Sequence, residues 1–99
     1  MSYIRGGLNN LASQEMDWRA IHLNLFVVFQ AMLDSRSVSR AGETLGLSRP
    51  AMSAALARLR ELFDDPLFVR SGREMEPTPR ALELADPVRK VLDAIRGDV

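Results

Sequence analysis

Between Ser37 and Phe63 the sequence leaves room for two helices and almost nothing between them. This compression constrains the fold more than any other feature. Ser37 is a residue type whose side-chain oxygen closes the open amides of a helix start, and Val38, Ala41 and Leu45 follow at spacings of three and four. Gly46 can take the positive φ that ends a helix. Only Leu47 then precedes Ser48, a second capping residue. Pro50 is tolerated just beyond it, because first-turn amides have no intrahelical acceptor. Met52, Ala55, Leu56, Leu59, Leu62 and Phe63 make the inward stripe of the longer helix. Ala41 and Gly42 are small enough for a close helix crossing, and Leu47 is expected to anchor the turn. The pattern is a helix-turn-helix.

The flanking segments complete a small domain. Asn24 is a candidate cap for a preceding helix striped by Leu25, Val28, Phe29, Met32 and Leu33, with Phe26 and Val27 broadening the stripe and an end near residues 34–36. After Asp64-Asp65-Pro66, the apolar run Leu67-Phe68-Val69-Arg70 suits a strand, Ser71-Gly72 a turn, and Arg73 to Glu76 a returning strand. Thr78 caps a last helix with Pro79 at its first position. Ala81, Leu84, Ala85, Val88, Val91, Leu92 and Ile95 stripe that helix, and Pro87 inside it removes one amide donor, so a kink is expected. The expected class is mainly α: a winged helix-turn-helix over 18–78 with a two-stranded wing at 67–76, then a C-terminal helix over 79–99. Residues 1–17, with Gly6-Gly7 and Asn9-Asn10, read as a flexible extension on which Leu8, Leu11 and Met16 could dock weakly; ordered chain is expected from about Trp18 and Ile21.

Composition removes several functions. The 99 residues contain no Cys and one His, which excludes disulfides, thiolate catalysis and cysteine-ligated metals. The most apolar stretch, 23–33, is about half the roughly 20 residues that a membrane span needs, and the first residues lack the pattern of a secretory signal. A cytoplasmic protein is expected. Ser48, Ser53 and His22 form no hydrolase signature, the glycines form no nucleotide loop, and Asp64-Asp65 beside Pro66 reads as a turn. No catalytic residue, cofactor or metal is expected.

Charge points to a partner. Formal net charge is 0, yet residues 35–60 carry Arg36, Arg40, Arg49, Arg58 and Arg60 against Glu43 alone, a local excess of +4. A helix start also favours phosphate through its free amides and dipole. Arg49 is the leading base-reading candidate, because its planar fork matches guanine O6 and N7; Ser53, four residues on, and Pro50 share the region. Arg36, Ser37, Arg40, Ser48, Arg58, Arg70 and Arg73 are candidate backbone or wing contacts, which position more than they specify. The last helix, about 27 Å long at 1.5 Å per residue, either folds back on the first helix or pairs antiparallel with a second copy; Leu84, Val88, Val91, Leu92 and Ile95 are the dimerisation candidates.

Four stretches, HLNLFVVF (22–29), SVSRAGETLGLSRPAMSAALARLR (37–60), DPLFVR (65–70) and PTPR (77–80), together resemble the N-terminal DNA-binding domain of LysR-type transcriptional regulators, in the branch of nodulation regulators and activators of aromatic catabolism. The resemblance covers residue 17 to about 95. It implies a winged helix-turn-helix on double-stranded promoter DNA, with helix 48–63 in the major groove, the wing near the minor groove, and a linker helix that makes a homodimer. It implies a DNA-contacting role for Ser53 and a minor-groove role for Arg73. Arg49 stands where the family commonly has Gln, Ala54 where many members have Arg, Gly42 where a second Ala is usual, and His22 where this branch has an acid. Family members continue into an effector-binding domain, to which nothing in these 99 residues corresponds, so no inducer pocket is expected in them, and a tetramer would require that domain. The competing reading is a protein-interaction or architectural winged-helix module without sequence-specific DNA binding.

Overall fold

The computed structural model describes residues 23–97. The expectations for residues 1–17, for Trp18 and Ile21, and for His22 lie outside them. The order is α1 (23–35), α2 (Val38–Leu45), α3 (Arg49–Phe63), β1 (Phe68–Ser71), β2 (Glu74–Pro77) and α4 (Pro79–Arg96), a winged helix-turn-helix.

Three helix starts follow from local chemistry. The Oγ of Ser37 accepts from the Arg40 amide at 3.2 Å, that of Ser48 from Ala51 at 3.2 Å, and Oγ1 of Thr78 from Ala81 at 3.1 Å. The proposed cap at Asn24 is not one: helical backbone is already in place at Leu23, so Asn24 lies within α1 and is exposed. At the other end of α2, Gly46 has φ 69°, its amide bonds to Glu43 O at 3.3 Å, and Leu47 N bonds to Gly42 O at 2.9 Å. This 6→1 and 5→2 pair is a Schellman ending, which fits glycine because it requires a left-handed residue.

The core is one cluster drawn from every helix and the wing's base. Phe29, Met32, Ala41, Met52, Leu59, Leu67, Phe68 and Ala81 are fully or almost fully shielded. The rings of Phe29 and Phe68 meet at 5.6 Å, tilted by 56°, which seats β1 on α1. Val27 of the α1 stripe is 39% exposed, and two further apolar residues, one of the α3 stripe and one of the turn, also differ from expectation. Leu62 is 39% exposed at the edge of α3, and the Leu47 side chain is 38% exposed. What holds the turn at Leu47 is its backbone: its carbonyl lies 2.9 Å from where a Cβ on Gly42 would stand. The close crossing at Ala41-Gly42 is therefore real, with both residues buried.

The wing is antiparallel, with Phe68 opposite Pro77, Val69 opposite Glu76, Arg70 opposite Met75 and Ser71 opposite Glu74. Arg73 sits in the turn rather than opening β2, which starts at Glu74 and runs one residue further than expected. The Asp64-Asp65 pair is a turn: Asp64 adopts φ 51°, and Oδ2 of Asp65 accepts from Leu67 N at 2.8 Å and from the Thr78 hydroxyl at 2.7 Å. Helix α4 runs through Pro87 to Arg96. Ala81, Val88 and Leu92 are buried in the domain's own core, and Leu92 lines a cleft with Val27, Gln30 and Ala31 of α1. Val91 and Ile95 remain 40% and 58% exposed.

Candidate nucleic-acid interface

The start of α3 stands open. Ser48, Arg49, Pro50 and Ser53 are all exposed, as are Ala54, Ala57 and Arg58 further along the helix. Met52, between them in sequence, is fully buried and belongs to the core. The periodicity of the stripe thus divides α3 into an inner face that holds the domain and an outer face free for a partner.

Beside this helix start lies a pocket of about 260 Å³ whose walls come from three elements. Arg49 contributes from α3, Ser37 and Ser39 from the start of α2, and Arg70, Arg73 and Met75 from the wing. No acidic side chain lines it. Nη1 of Arg49 donates to Oγ of Ser39 at 3.3 Å, so the guanidinium leans across the helix-turn-helix toward α2. The chain folds three arginines separated by up to 24 positions into one cationic recess, suited to a phosphate-bearing partner.

Several candidates named from sequence lie outside this recess or are already engaged within the molecule. Arg40 is exposed on α2, and Arg58 is exposed about two and a half turns along α3 from Arg49. Ser37 and Ser48 already use their hydroxyl oxygens to cap α2 and α3. Arg36 is engaged inside the molecule: its Nη1 donates to both carboxylate oxygens of Glu76, at 3.2 and 3.4 Å. Of the dimerisation candidates, Val88 and Leu92 are buried in the chain's own core, Leu84 is half-buried, and Val91 and Ile95 face outward.

Sequence reasoning passed over Ser39, Arg60 and Glu76. Arg60 belongs to the basic block, yet its Nε donates to Pro66 O at 2.9 Å and its Nη2 to Phe68 O at 3.2 Å, tying α3 to the base of β1. Nothing in the periodicity marks these three, because each role depends on a partner brought close only by folding. Among the described residues there is no cluster of metal-ligating side chains, and no helix is long and apolar enough to cross a membrane.

This architecture has counterparts among known proteins. Residues 23–82 match the family model of the bacterial regulatory helix-turn-helix protein, lysR family. The chain belongs to the LysR family. It carries the DNA-binding domain of a LysR-type transcriptional regulator, and its relatives are regulators rather than enzymes. It is 54% identical over 81 residues to the transcriptional activator NagR of a Ralstonia species and 52% identical over 82 residues to NahR of Pseudomonas putida, which takes in 82% and 83% of this chain. It is 49% identical over 77 residues to a nodulation protein D of Bradyrhizobium, taking in 78% of this chain and 23% of that protein. The chain spans 27% of the length of the first two relatives. A crystal structure of a probable transcriptional regulator from Pseudomonas aeruginosa superposes on 77% of the chain and 26% of its own, with a TM-score of 0.73 and 45% identity. The LysR-type resemblance read from sequence, including its nodulation and aromatic-catabolism branch, is borne out.

Proposed function

We propose that the chain binds promoter DNA sequence-specifically as a homodimer in the cytoplasm, with the exposed start of α3 in the major groove and the wing near the minor groove. The observation that carries this reading is the acid-free recess joining Arg49 to Arg70 and Arg73 beside an open helix start. Arg49 and Ser53, with Pro50 beside them, face base edges; Arg40, Arg58, Arg70, Arg73 and the helix starts at Ser37 and Ser48 face the backbone. Solved LysR-type domains in complex with DNA share this fold, among them those of BenM and CbnR, with TM-scores of 0.71 at 23% and 20% identity. Pairing uses the outer side of α4, where Val91 and Ile95 stand exposed next to half-buried Leu84. A two-fold dimer calls for a roughly palindromic site with half-sites one helical turn apart or a multiple of it.

Fluorescence anisotropy with genomic duplex fragments, competed by unrelated DNA, tests the reading. A preferred set of fragments should emerge. Arg49→Ala should lose about 10- to 100-fold of that preference, the equivalent of about 1–3 kcal/mol for a bidentate base contact. Arg58→Ala should weaken all duplexes alike and lower the salt slope by about one unit. Equal affinity for every duplex at all salt concentrations overturns sequence specificity. A protein partner held at high salt by a chain that binds no duplex would select the interaction-module reading instead.

A further inference from the structure

The connection between α1 and α2 contains an unusual residue. Arg36 has φ 54°, in the left-handed region that a side chain with a Cβ adopts reluctantly. In that conformation its backbone and side chain both reach β2. The Arg36 carbonyl accepts from Met75 N at 3.0 Å, and its guanidinium holds the Glu76 carboxylate. Two consecutive residues of one wing strand are thus gripped by a single residue outside the wing. On the other strand, Arg60 grips the Phe68 carbonyl. Arg70 stands directly opposite the gripped Met75, and the exposed tip beyond that pair carries Arg73. Met75, whose amide Arg36 holds, also lines the recess that those two arginines share with Arg49.

We propose that Arg36 is a positioning residue: with Glu76 it forms a clasp that sets the wing against the helix-turn-helix so that Arg70 and Arg73 meet the DNA backbone together with α3. This inference rests on the DNA-binding reading above. It replaces a direct phosphate contact by Arg36, whose charge is already matched by an acid 40 positions away. The pair is 43% and 37% exposed, so its effect on folding stability is small, and breaking it leaves a folded domain. Its effect on binding is larger, because wing arginines held in place lose less freedom on meeting DNA.

Glu76→Gln separates the possibilities by sign. It removes an acid from a surface that meets a polyanion, so electrostatics alone makes binding tighter; loss of the clasp makes it weaker. The measurement is anisotropy of the full 99-residue chain with a short fluorescein-labelled duplex of random sequence, titrated with potassium chloride. The clasp predicts that Glu76→Gln weakens binding about tenfold and lowers the salt slope by up to about two units, the contribution of two phosphate contacts. Arg36→Gly should do the same, because glycine accepts the positive φ and keeps the carbonyl bond to Met75 while removing the guanidinium. The reversed pair, Arg36→Glu with Glu76→Arg, should recover most of the loss. In an Arg70→Ala/Arg73→Ala background, Glu76→Gln should change the slope no further. Faster amide hydrogen exchange at Met75 in Glu76→Gln reports the loosened wing without DNA. Tighter or unchanged binding by Glu76→Gln, with Arg36→Gly costing one slope unit, overturns the clasp and restores a phosphate contact. Failure of the unsubstituted chain to bind any duplex overturns the DNA reading itself.

Discussion

A methyl group on residue 42 would meet the Leu47 carbonyl at 2.9 Å and Met52 Cγ at 3.2 Å. Alanine there gains about 1 kcal/mol of helix propensity over glycine, which the forced shift of backbone offsets. Gly42→Ala is therefore expected to be close to neutral, whereas Gly42→Val, with two further carbons in the crossing, should lose about 2–3 kcal/mol. Urea unfolding of the two variants checks this, and a valine variant as stable as the parent would mean that the crossing is looser than described. At this scale the sequence was readable where a capping residue directly follows a break in the helical pattern, and misleading at Asn24, which lies within α1. Ser37, Ser48 and Thr78 cap because a cap needs only its own next three residues. The intramolecular partners of Arg36 and Arg60 were hidden as a matter of physics. Charge is visible in sequence, but whether it faces solvent, a carbonyl or a carboxylate depends on chain 6 to 40 positions away. Leu47 and Leu62 show the converse: the sequence marks one as an apolar anchor of the turn and the other as apolar stripe, and only packing shows that both residues are partly in water.

Between elements, one carboxylate organises the passage from α3 into the wing and out again. Asp65 receives the Leu67 amide and the Thr78 hydroxyl, while the Thr78 oxygen receives an amide of the first turn of α4, at Ala81. Leu67, fully buried at φ 64°, depends on this support, since a leucine seldom takes that conformation unaided. Asp65→Ala should lower stability by about 2 kcal/mol, the range for half-buried hydrogen bonds to a charged group. The check is a lower urea midpoint with the slope of the transition unchanged; a loss below about 0.5 kcal/mol would show that the turn holds without it. The sequence placed every element here, including both wing strands. It set both strands one residue early, with Leu67 outside β1 and Ser71 inside it, because Ser71 and Arg73 have side chains compatible with either a turn or a strand, and the hydrogen bonds of the hairpin decide between them.

For the whole molecule, the apolar stripe of α4 is divided between two tasks. Ala81, Val88 and Leu92 close the core, and Val91 and Ile95 remain outside it. Periodicity cannot reveal this division, since both sets lie on one continuous stripe; it offered packing on α1 and pairing with a second copy as alternatives. Introducing Val91→Asp and Ile95→Asp together should turn a dimer into a monomer in sedimentation velocity while leaving the helical circular-dichroism signal intact. A parent chain that sediments as a monomer at every concentration, or a doubly substituted chain that still dimerises, would reject the outer side of α4 as the pairing surface. Val88 and Leu92 belong to the same buried cluster as Met52, Leu56 and Leu59 of α3, so one side of α4 is part of the domain's own core. The two sides of this helix therefore answer to different demands: a substitution at Val88 or Leu92 acts on folding, whereas one at Val91 or Ile95 acts on the surface alone.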